Sequence, residues 1–419
     1  MREKMSSREG CETNDARRTL IDEVERLGPR IVKLARDLYR HPEVGLEEFH
    51  SAARLSGDLE EEGFEVRMGL CDLPTAFSAE KRHGKGPSIA FLAEYDALPG
   101  LGHAGGHNLI AAVSYGAAVA LGRRLEDHPG RVVLFGTPAE ETIGGKVVMA
   151  RQGAFDAIDV AMLAHPGSRD RVEVRSLASW SVDVVFEGKS SHAVAAPEQG
   201  VNALDAVIQL FTARDALLKS LRDEVRIPGV ILEGGVQPNV VPDRARARFS
   251  MRAADATYLM QTVLTRFREL VEGVARTTQT RATMHFVDNL YDEMCSSPGL
   301  AEIYRRNALE VGLDPTSQAS SSVASLDTGI VSKLVPVIHP VFRIVENPVA
   351  SHTVEFAKAV DQPRALESAV RVAKALALTG LDLLADPAIV RRLGDEHRDS
   401  ARHSSLALDT PLITSQVSP

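Results

Sequence analysis

The chain has 419 residues, a formal net charge of −9 at pH 7 and 25% charged residues. Its length predicts two domains, and the excess of acidic groups argues against nucleic acid or an anionic membrane surface as a partner. The three cysteines are too widely spaced for a thiolate metal clip or a disulfide framework. No apolar stretch is long enough to cross a membrane and no signal peptide is recognisable, so a cytoplasmic protein is expected.

The first part of the chain alternates helices with apolar strands. The polar segment 1–16 is expected to be mobile. Periodicity then predicts helices at 19–39, 47–62, 108–125 and 143–152, and apolar strands at 88–96, 132–141 and 159–167. Strands that are apolar throughout and alternate with helices indicate a mostly parallel sheet covered on both faces, which makes the fold class α/β.

The pattern changes near Ser176. The residues that follow predict strand, helix, two strands, helix and strand, the order of a small antiparallel α+β domain of the split βαβ type. After Tyr291 the earlier alternation resumes. The sequence therefore predicts a discontinuous large domain, 1–176 and 289–396, with a smaller domain, 177–288, inserted into it. The polar end of the chain, 397–419, is expected to be a disordered tail.

Side chains suited to metal binding follow several predicted strands of the large domain or lie in nearby loops: Glu94, Asp96, His107, Glu140, Glu141, His165 and His352. Open parallel sheets place ligands at the carboxyl ends of their strands, so these groups are expected to converge. A mixture of imidazoles and carboxylates suits zinc, manganese, iron or nickel rather than calcium. Each residue alone is more often structural than a ligand, and it is their number at one sheet edge that predicts a metal site.

The adjacent Glu140 and Glu141 have a specific use in hydrolysis. One carboxylate can bind an ion while its neighbour accepts a proton from a water molecule whose pKa the ion lowers. The plain alternative is a solvated charge pair. However, these two residues follow an apolar strand and a Thr-Pro turn rather than a polar helix face. The pair therefore predicts a metal-dependent hydrolase.

Seven motifs, in this order, resemble those of the aminoacylase-type metallopeptidases: HPEVGLEE, AEYDALPGLGHAGGHNLIAA, GTPAEET, MLAHPG, GKSSHAVAAPEQGVNAL, GGVQPNVVPD and IHPVFRIVENPVASHTVEF. The chain is most similar to the amidohydrolase branch that acts on aminobenzoyl-glutamate and N-acyl amino acids. The resemblance spans nearly the whole chain. It implies a metal-binding α/β domain and an inserted α+β domain that covers the site and forms a homodimer.

The resemblance also implies roles for single residues. The positions that match metal ligands are His107, Glu141, His165 and His352, and Glu140 matches the general base. His192 matches a catalytic histidine of the inserted domain, which in relatives reaches the active site, often that of the partner subunit. Asn239 matches a position that lines the substrate site, and Asp96 matches the carboxylate that orients a ligand histidine.

One position departs from the family pattern. Relatives read HACGH, where the cysteine is a metal ligand, but this chain has Gly105 there. One ligand of the usual two-metal site is therefore absent, although Glu94 can partly compensate. We expect one tightly bound divalent ion per chain, manganese or zinc. Gly105 also opens room beside that ion for a flat substrate.

Three functions remain open at this point. The first is hydrolytic deamination of an aminobenzoate such as 5-nitroanthranilate, because the missing thiolate resembles the aromatic aminohydrolases of the family. The second is cleavage of N-acyl or aminobenzoyl amino acids. In both, a metal-activated water attacks a small substrate that carries a carboxylate. The third, a non-catalytic binding or scaffold protein on the same fold, is disfavoured because the expected base and four ligands are all present.

Overall fold

The computed structural model describes residues 2–315, 324–399, 405 and 407–414. It divides into two compact units. The first comprises Met1–Arg175, Cys295–Ser322 and Ile330–Ser404, and the second comprises Ser176–Met294, Val323–Gly329 and Ser405–Pro419. Across the described ranges, no helix combines the length and the apolar character that a membrane crossing requires.

The N-terminal elements of the first unit follow the predicted order, except that two further strands follow the second helix and the predicted strand 159–167 is divided into two. They are α1 (Arg2–Arg40), α2 (Phe49–Glu61), β1 (Glu65–Met68), β2 (Phe77–His83), β3 (Ser88–Ala93), α3 (His107–Gly122), β4 (Gly130–Gly136), α4 (Gly145–Arg151), β5 (Val160–Met162) and β6 (His165–Gly167). The polar segment 1–16, expected to be mobile, lies within α1 from Arg2 onward.

The second unit is a single antiparallel sheet with helices. Its elements are β7 (Ala178–Glu187), α5 (Ala203–Leu218), β8 (Gly229–Glu233), β9 (Arg244–Ala253), α6 (Ala256–Tyr258), α7 (Thr265–Thr278) and β10 (Arg281–Phe286). The strand order is β10-β7-β9-β8, and every pair is antiparallel. Burial alternates residue by residue along β9, as a strand with one face on a core requires. The predicted split βαβ arrangement is therefore confirmed.

The remaining elements are α8 (Pro298–Glu310), α9 (Thr328–Leu334), β11 (Val337–Ile338), β12 (Val341–Arg343), α10 (Val354–Ala359), α11 (Pro363–Ala385) and α12 (Pro387–Asp399). The segment 397–419, expected to be a disordered tail, is described in part. Helix α12 runs to Asp399, and the side chain of Asn289 exchanges two hydrogen bonds of 2.8 Å with the backbone of Ile413. These bonds give a polar segment an ordered position. Residues 400–404, 406 and 415–419 lie outside the described residues.

The large sheet of the first unit has the order β1-β2-β4-β3-β5-β11. Strands β4, β3, β5 and β11 pair in parallel, while β2 pairs antiparallel with both β1 and β4. The α/β fold class is confirmed. The strands β1 and β2 were not predicted, because β1 is short and polar and lacks the apolar run that identified the others.

Apolar helices cover this sheet. Helix α3 is buried along its whole length, which its many small residues allow, and it packs against α1 and α11. The face of α1 that meets them carries apolar residues at helical spacing, all of them buried: Leu20, Val24, Leu27, Ile31, Leu34 and Leu38. This packing fixes the start of α3 at the carboxyl edge of the sheet, where the candidate site lies.

Candidate functional site

Parallel strands β3, β4 and β5 end side by side, and the loops that leave them carry the acidic candidates. Glu94 and Asp96 follow β3 and are almost completely buried. Glu140 and Glu141 follow β4, and Glu140 is 9% exposed. The structure thus brings together the carboxylates that the sequence placed at strand ends.

His107 reaches this edge because of the glycine before it. Gly106 has a φ of +81°, and a Cβ built there would lie 2.3 Å from Cγ of Pro166. Only glycine permits this backbone conformation together with so close an approach. Helix α3 therefore begins against β6, and the ring of His107 meets the ring of His165 edge-on, with centroids 5.9 Å apart.

Asp96 fixes the orientation of His107. Nδ1 of His107 donates to Oδ1 of Asp96 at 2.9 Å, and the backbone N–H of Glu141 donates to Oδ2 of the same carboxylate at 2.9 Å. Burial opposes a charge on His107, but in the metal-free protein Asp96 and the nearby glutamates outweigh it and raise the pKa of His107 well above its usual value. An ion bound at Nε2 would displace the proton from that nitrogen. One carboxylate therefore positions both an imidazole and the glutamate pair.

The other ring nitrogen of His107 points into a group of carboxylates. Nε2 is buried and has no hydrogen-bond partner among the described residues. It lies 3.6 Å from Oε2 of Glu94, 3.8 Å from Oε2 of Glu140 and 3.9 Å from Oε1 of Glu141. Such a nitrogen, held in place by a carboxylate on the far side of its ring and facing several oxygens, has the donor set and orientation of a divalent metal ligand.

Two overlapping triads share His107. One combines it with Glu94 and His165, the other with Glu140 and Glu141, and in each triad the three donor atoms lie within 4.8 Å of one another. The residues present therefore fit a divalent transition metal. Burial lowers the pKa of His165, which keeps that imidazole neutral and able to bind an ion.

His352 joins the site from the C-terminal part of the chain. Its Nε2 lies 3.1 Å from Oε1 of Glu141. Its backbone N–H donates to the carbonyl oxygen of Ala104 at 3.0 Å, and its φ is +63°, a strained value for a residue other than glycine. The loop that carries His352 is thus held against the loop that carries His107.

Gly105 lies beside the candidate metal ligands Glu141 and His107. A Cβ built there would lie 2.6 Å from Oε1 of Glu141 and 3.2 Å from Nε2 of His107. A side chain at this position would therefore point at the candidate metal ligands. In this chain the carboxylate of Glu141 lies in that space.

Two buried residues of the site were missed by the sequence analysis. Lys146, in the first turn of α4, places Nζ 2.6 Å from Oε1 of Glu94. His339 stacks on His165 with ring centroids 5.6 Å apart, and burial lowers its pKa to about 3. The signal for His339 was available, because His165 and His339 each precede a proline after a short apolar strand. The signal for Lys146 was a single lysine within an otherwise apolar run after two glycines.

His103, in the loop that precedes His107, lies outside these triads. Nε2 of His103 bonds to the carbonyl oxygen of Leu38 at 3.1 Å, and burial lowers the pKa of His103 to about 4. It is a neutral histidine that ties the loop to the end of α1.

The two candidates of the second unit are neighbours in that unit. His192 forms a bridge with Val240, and the N–H of Ala193 donates to the carbonyl oxygen of Asn239 at 3.0 Å. Nδ1 of His192 accepts hydrogen bonds of 3.2 Å from the backbone N–H groups of Val194 and Ala195. These bonds fix the tautomer, with the proton on Nε2. Both side chains are exposed on the second unit.

Comparison with known proteins relates the chain to a family of peptidases. Residues 172–278 match the peptidase dimerisation domain of the M20 family. The chain is 33% identical over 406 residues to the Xaa-Arg dipeptidase of Mus musculus, covering 93% of this chain and 94% of that protein. It is 35% identical over 301 residues to a p-aminobenzoyl-glutamate hydrolase subunit of Escherichia coli (strain K12), covering 67% of this chain and 61% of that protein.

A solved structure shares the fold. The putative aminohydrolase from methicillin-resistant Staphylococcus aureus superposes with a TM-score of 0.72 at 22% identity, covering 88% of this chain and 99% of that one. The extent of these matches, together with the dimerisation domain found within the chain, shows that the chain belongs to the aminoacylase-type M20 peptidase family.

Proposed function

We propose that this protein is a metal-dependent hydrolase that cleaves an amide C–N bond in a small substrate bearing a carboxylate. The observation that carries the proposal is the buried Nε2 of His107, which is oriented by Asp96 toward Glu140 and Glu141. A buried ring nitrogen without a hydrogen-bond partner is costly in a folded protein, and a bound cation removes that cost.

One divalent ion would be held by His107, Glu141, His165 and His352. The donors are nitrogen and oxygen with no thiolate, a set that suits manganese or zinc. When bound, such an ion supplies Lewis acidity that polarises a carbonyl oxygen and makes a coordinated water more acidic.

Glu140 is the proposed general base. Its Oε2 lies 3.8 Å from Nε2 of His107, so it borders the proposed ligands. The carboxylate accepts a proton from the attacking water as the new C–O bond forms. It then returns that proton to the leaving nitrogen as the C–N bond breaks, so the carboxylate is regenerated in each cycle.

Dipeptides and N-acyl amino acids are the proposed substrates. Two relatives with more than 30% identity are described as an Xaa-Arg dipeptidase and an aminobenzoyl-glutamate hydrolase, and both descriptions name an amide with a free carboxylate nearby. We propose that His192 and Asn239 of the second unit contact the substrate, as the resemblance of their motifs implies. We also propose a homodimer through this unit, whose edge strand β8 exposes Val230, Ile231 and Leu232.

Hydrolytic deamination of an aminobenzoate is a second candidate, and Gly105 is the observation that favours it. A side chain at this position would point at Glu141 and His107, and in its absence the carboxylate of Glu141 fills the space, so the donor set contains no thiolate. The proposed substrate of this reaction is a flat, electron-poor ring such as that of 5-nitroanthranilate. Attack at the ring carbon would release ammonia and leave a hydroxyl group on the ring.

A substrate panel separates the two reactions. Metal-loaded protein is incubated with Xaa-Arg dipeptides, N-acyl amino acids, aminobenzoyl-glutamate and 5-nitroanthranilate, and both the free amine and ammonia are quantified. Amide hydrolysis is expected to give an amine and a carboxylate from the first three substrate classes. Ammonia from 5-nitroanthranilate without amide cleavage would instead support the deaminase. No turnover of any substrate by metal-loaded protein would contradict the proposed function.

A further inference from the structure

A lysine and a glutamate form a buried ion pair beside the candidate metal ligands. Nζ of Lys146 lies 2.6 Å from Oε1 of Glu94, and their side chains are 0% and 1% exposed. Burying an ammonium group is unfavourable unless an anion is at hand, so this lysine is held there by a specific partner. Lys146 has no role in the proposed mechanism.

The backbone before Lys146 explains how its side chain reaches this place. Gly144 has a φ of +74°, and a Cβ on Gly145 would lie 2.0 Å from the carbonyl oxygen of Pro138. Helix α4 therefore starts in direct contact with the loop that carries Glu140. Its first turn then directs Lys146 toward the end of β3, where Glu94 lies.

Glu94 lies next to the ligands proposed for the first ion. Its Oε2 is 3.6 Å from Nε2 of His107, and it forms a triad with His107 and His165. Each of these imidazoles has one free ring nitrogen, which the first ion uses, so a second ion here would be held by the carboxylate of Glu94 and by water. Lys146 reduces the ability of that carboxylate to bind a divalent ion. Its negative charge is already balanced by an ammonium at hydrogen-bond distance, and a divalent cation at the same carboxylate would be repelled by that ammonium at low effective dielectric. Gly105 supplies no further donor.

We propose that the ammonium of Lys146 takes the place of a second divalent ion. It keeps Glu94 ionised and engaged, and it restricts the chain to the single ion held by His107, Glu141, His165 and His352. This inference rests on the proposed function for the existence of that first ion. In this inference Glu94 pairs with Lys146 rather than with a metal ion, and Lys146 acts by holding Glu94 in position.

Metal counting tests the inference without any assay of activity. Protein dialysed against Mn²⁺ and then against metal-free buffer is analysed by mass spectrometry for manganese per chain, and Mn²⁺ titration calorimetry counts the binding events. The natural protein is expected to hold one ion. Lys146→Met should gain a second binding event, because Glu94 then lacks a cation. The exposed Lys85→Met serves as the matched control and should still hold one ion.

The double variant Lys146→Met, Glu94→Gln covers the case in which the single variant does not fold. It replaces the buried ion pair with neutral groups of similar size and should keep one ion with an affinity within about threefold of the natural protein, since neither residue is a ligand. Two ions in the natural protein, a folded Lys146→Met that binds only one, or loss of the ion from the double variant would each overturn the inference. Failure of the proposed function has a different signature, namely a metal-loaded natural protein that hydrolyses no substrate.

Discussion

Oε1 of Glu48 accepts a hydrogen bond of 2.8 Å from the backbone N–H of Ala139, the residue immediately before the proposed base Glu140. Ala139 has a φ of +61°, a conformation that costs energy for any residue with a side chain. The second oxygen of Glu48 accepts a hydrogen bond from the hydroxyl of Thr75, also at 2.8 Å. A buried carboxylate at the end of the HPEVGLEE motif thus holds the strained turn that presents Glu140.

This carboxylate makes the stability of the metal-free protein depend on pH. Burial, followed by the charge of Asp96, raises the pKa of Glu48 from 4.5 to about 7. Between these values the folded state binds more protons than the unfolded state. The contribution of Glu48 to the free energy of unfolding therefore falls as the pH rises through this window, by up to about 3 kcal/mol, and is level above it.

Glu48→Gln should remove this contribution, because an amide does not titrate, so the variant should gain stability relative to the natural protein as the pH rises. Urea unfolding of metal-free protein at several pH values between about 5 and 8 measures the effect. The exposed neighbour Glu47 provides the control, and Glu47→Gln should keep the pH dependence of the natural protein. An identical pH dependence in all three proteins would show that Glu48 titrates normally.

Substitutions of the adjacent Glu140 and Glu141 should affect metal binding differently. Glu140→Gln is expected to lower kcat about 10²–10⁴-fold while the protein keeps its metal, because the amide has a similar shape but accepts no proton. Glu141→Ala should lose the metal as well as the activity, since its Oε1 lies close to both His107 and His352. Metal content and kcat are measured on each purified variant. Full metal occupancy in Glu141→Ala would mean that the roles of the two residues are assigned wrongly.

Asp96→Asn should weaken metal binding without removing a ligand. The asparagine cannot accept hydrogen bonds from both Nδ1 of His107 and the N–H of Glu141, so the imidazole loses its fixed orientation. The affinity for the ion is expected to fall about 10–100-fold. Titration of metal-free protein with Mn²⁺ measures this change, with Asp22→Asn on the exposed face of α1 as the control. Equal affinities in the two variants would contradict a role for Asp96 in orienting His107.

Gly106 should be intolerant of any side chain. Alanine there adds the cost of a left-handed conformation to an overlap with Pro166, so Gly106→Ala is expected to reduce the free energy of unfolding by at least about 2 kcal/mol. Gly57 offers the opposite case, because it lies inside α2 and a Cβ there meets nothing within 4 Å. Gly57→Ala should stabilise the protein by about 0.5–1 kcal/mol. Denaturant unfolding compares both variants, and a neutral Gly106→Ala would refute the close approach of α3 to β6.

The sequence was most informative where periodicity and strand ends coincide. The apolar face of α1 and the apolar strand β3 have clear patterns, and Glu94, Asp96 and Glu140 follow strands whose carboxyl ends had to meet. Short polar strands such as β1 carry no such pattern and were missed. Lys146 was also missed, because its contact with Glu94 joins residues from two elements. It depends on how closely α4 approaches the sheet, and that distance is set by packing around Gly145 rather than by any local propensity.

The dependence of hydrolysis on a bound ion tests the central claim most directly. The natural protein is stripped with a chelator and dialysed, Mn²⁺ or Zn²⁺ is returned, and the release of amine from a dipeptide or an N-acyl amino acid is followed, with Glu140→Gln treated in parallel. We predict that the stripped protein is inactive, that one ion per chain restores the rate of the natural protein, and that Glu140→Gln binds the ion without recovering the rate. Full activity in the stripped protein, or equal rates in Glu140→Gln and the natural protein, would contradict the account.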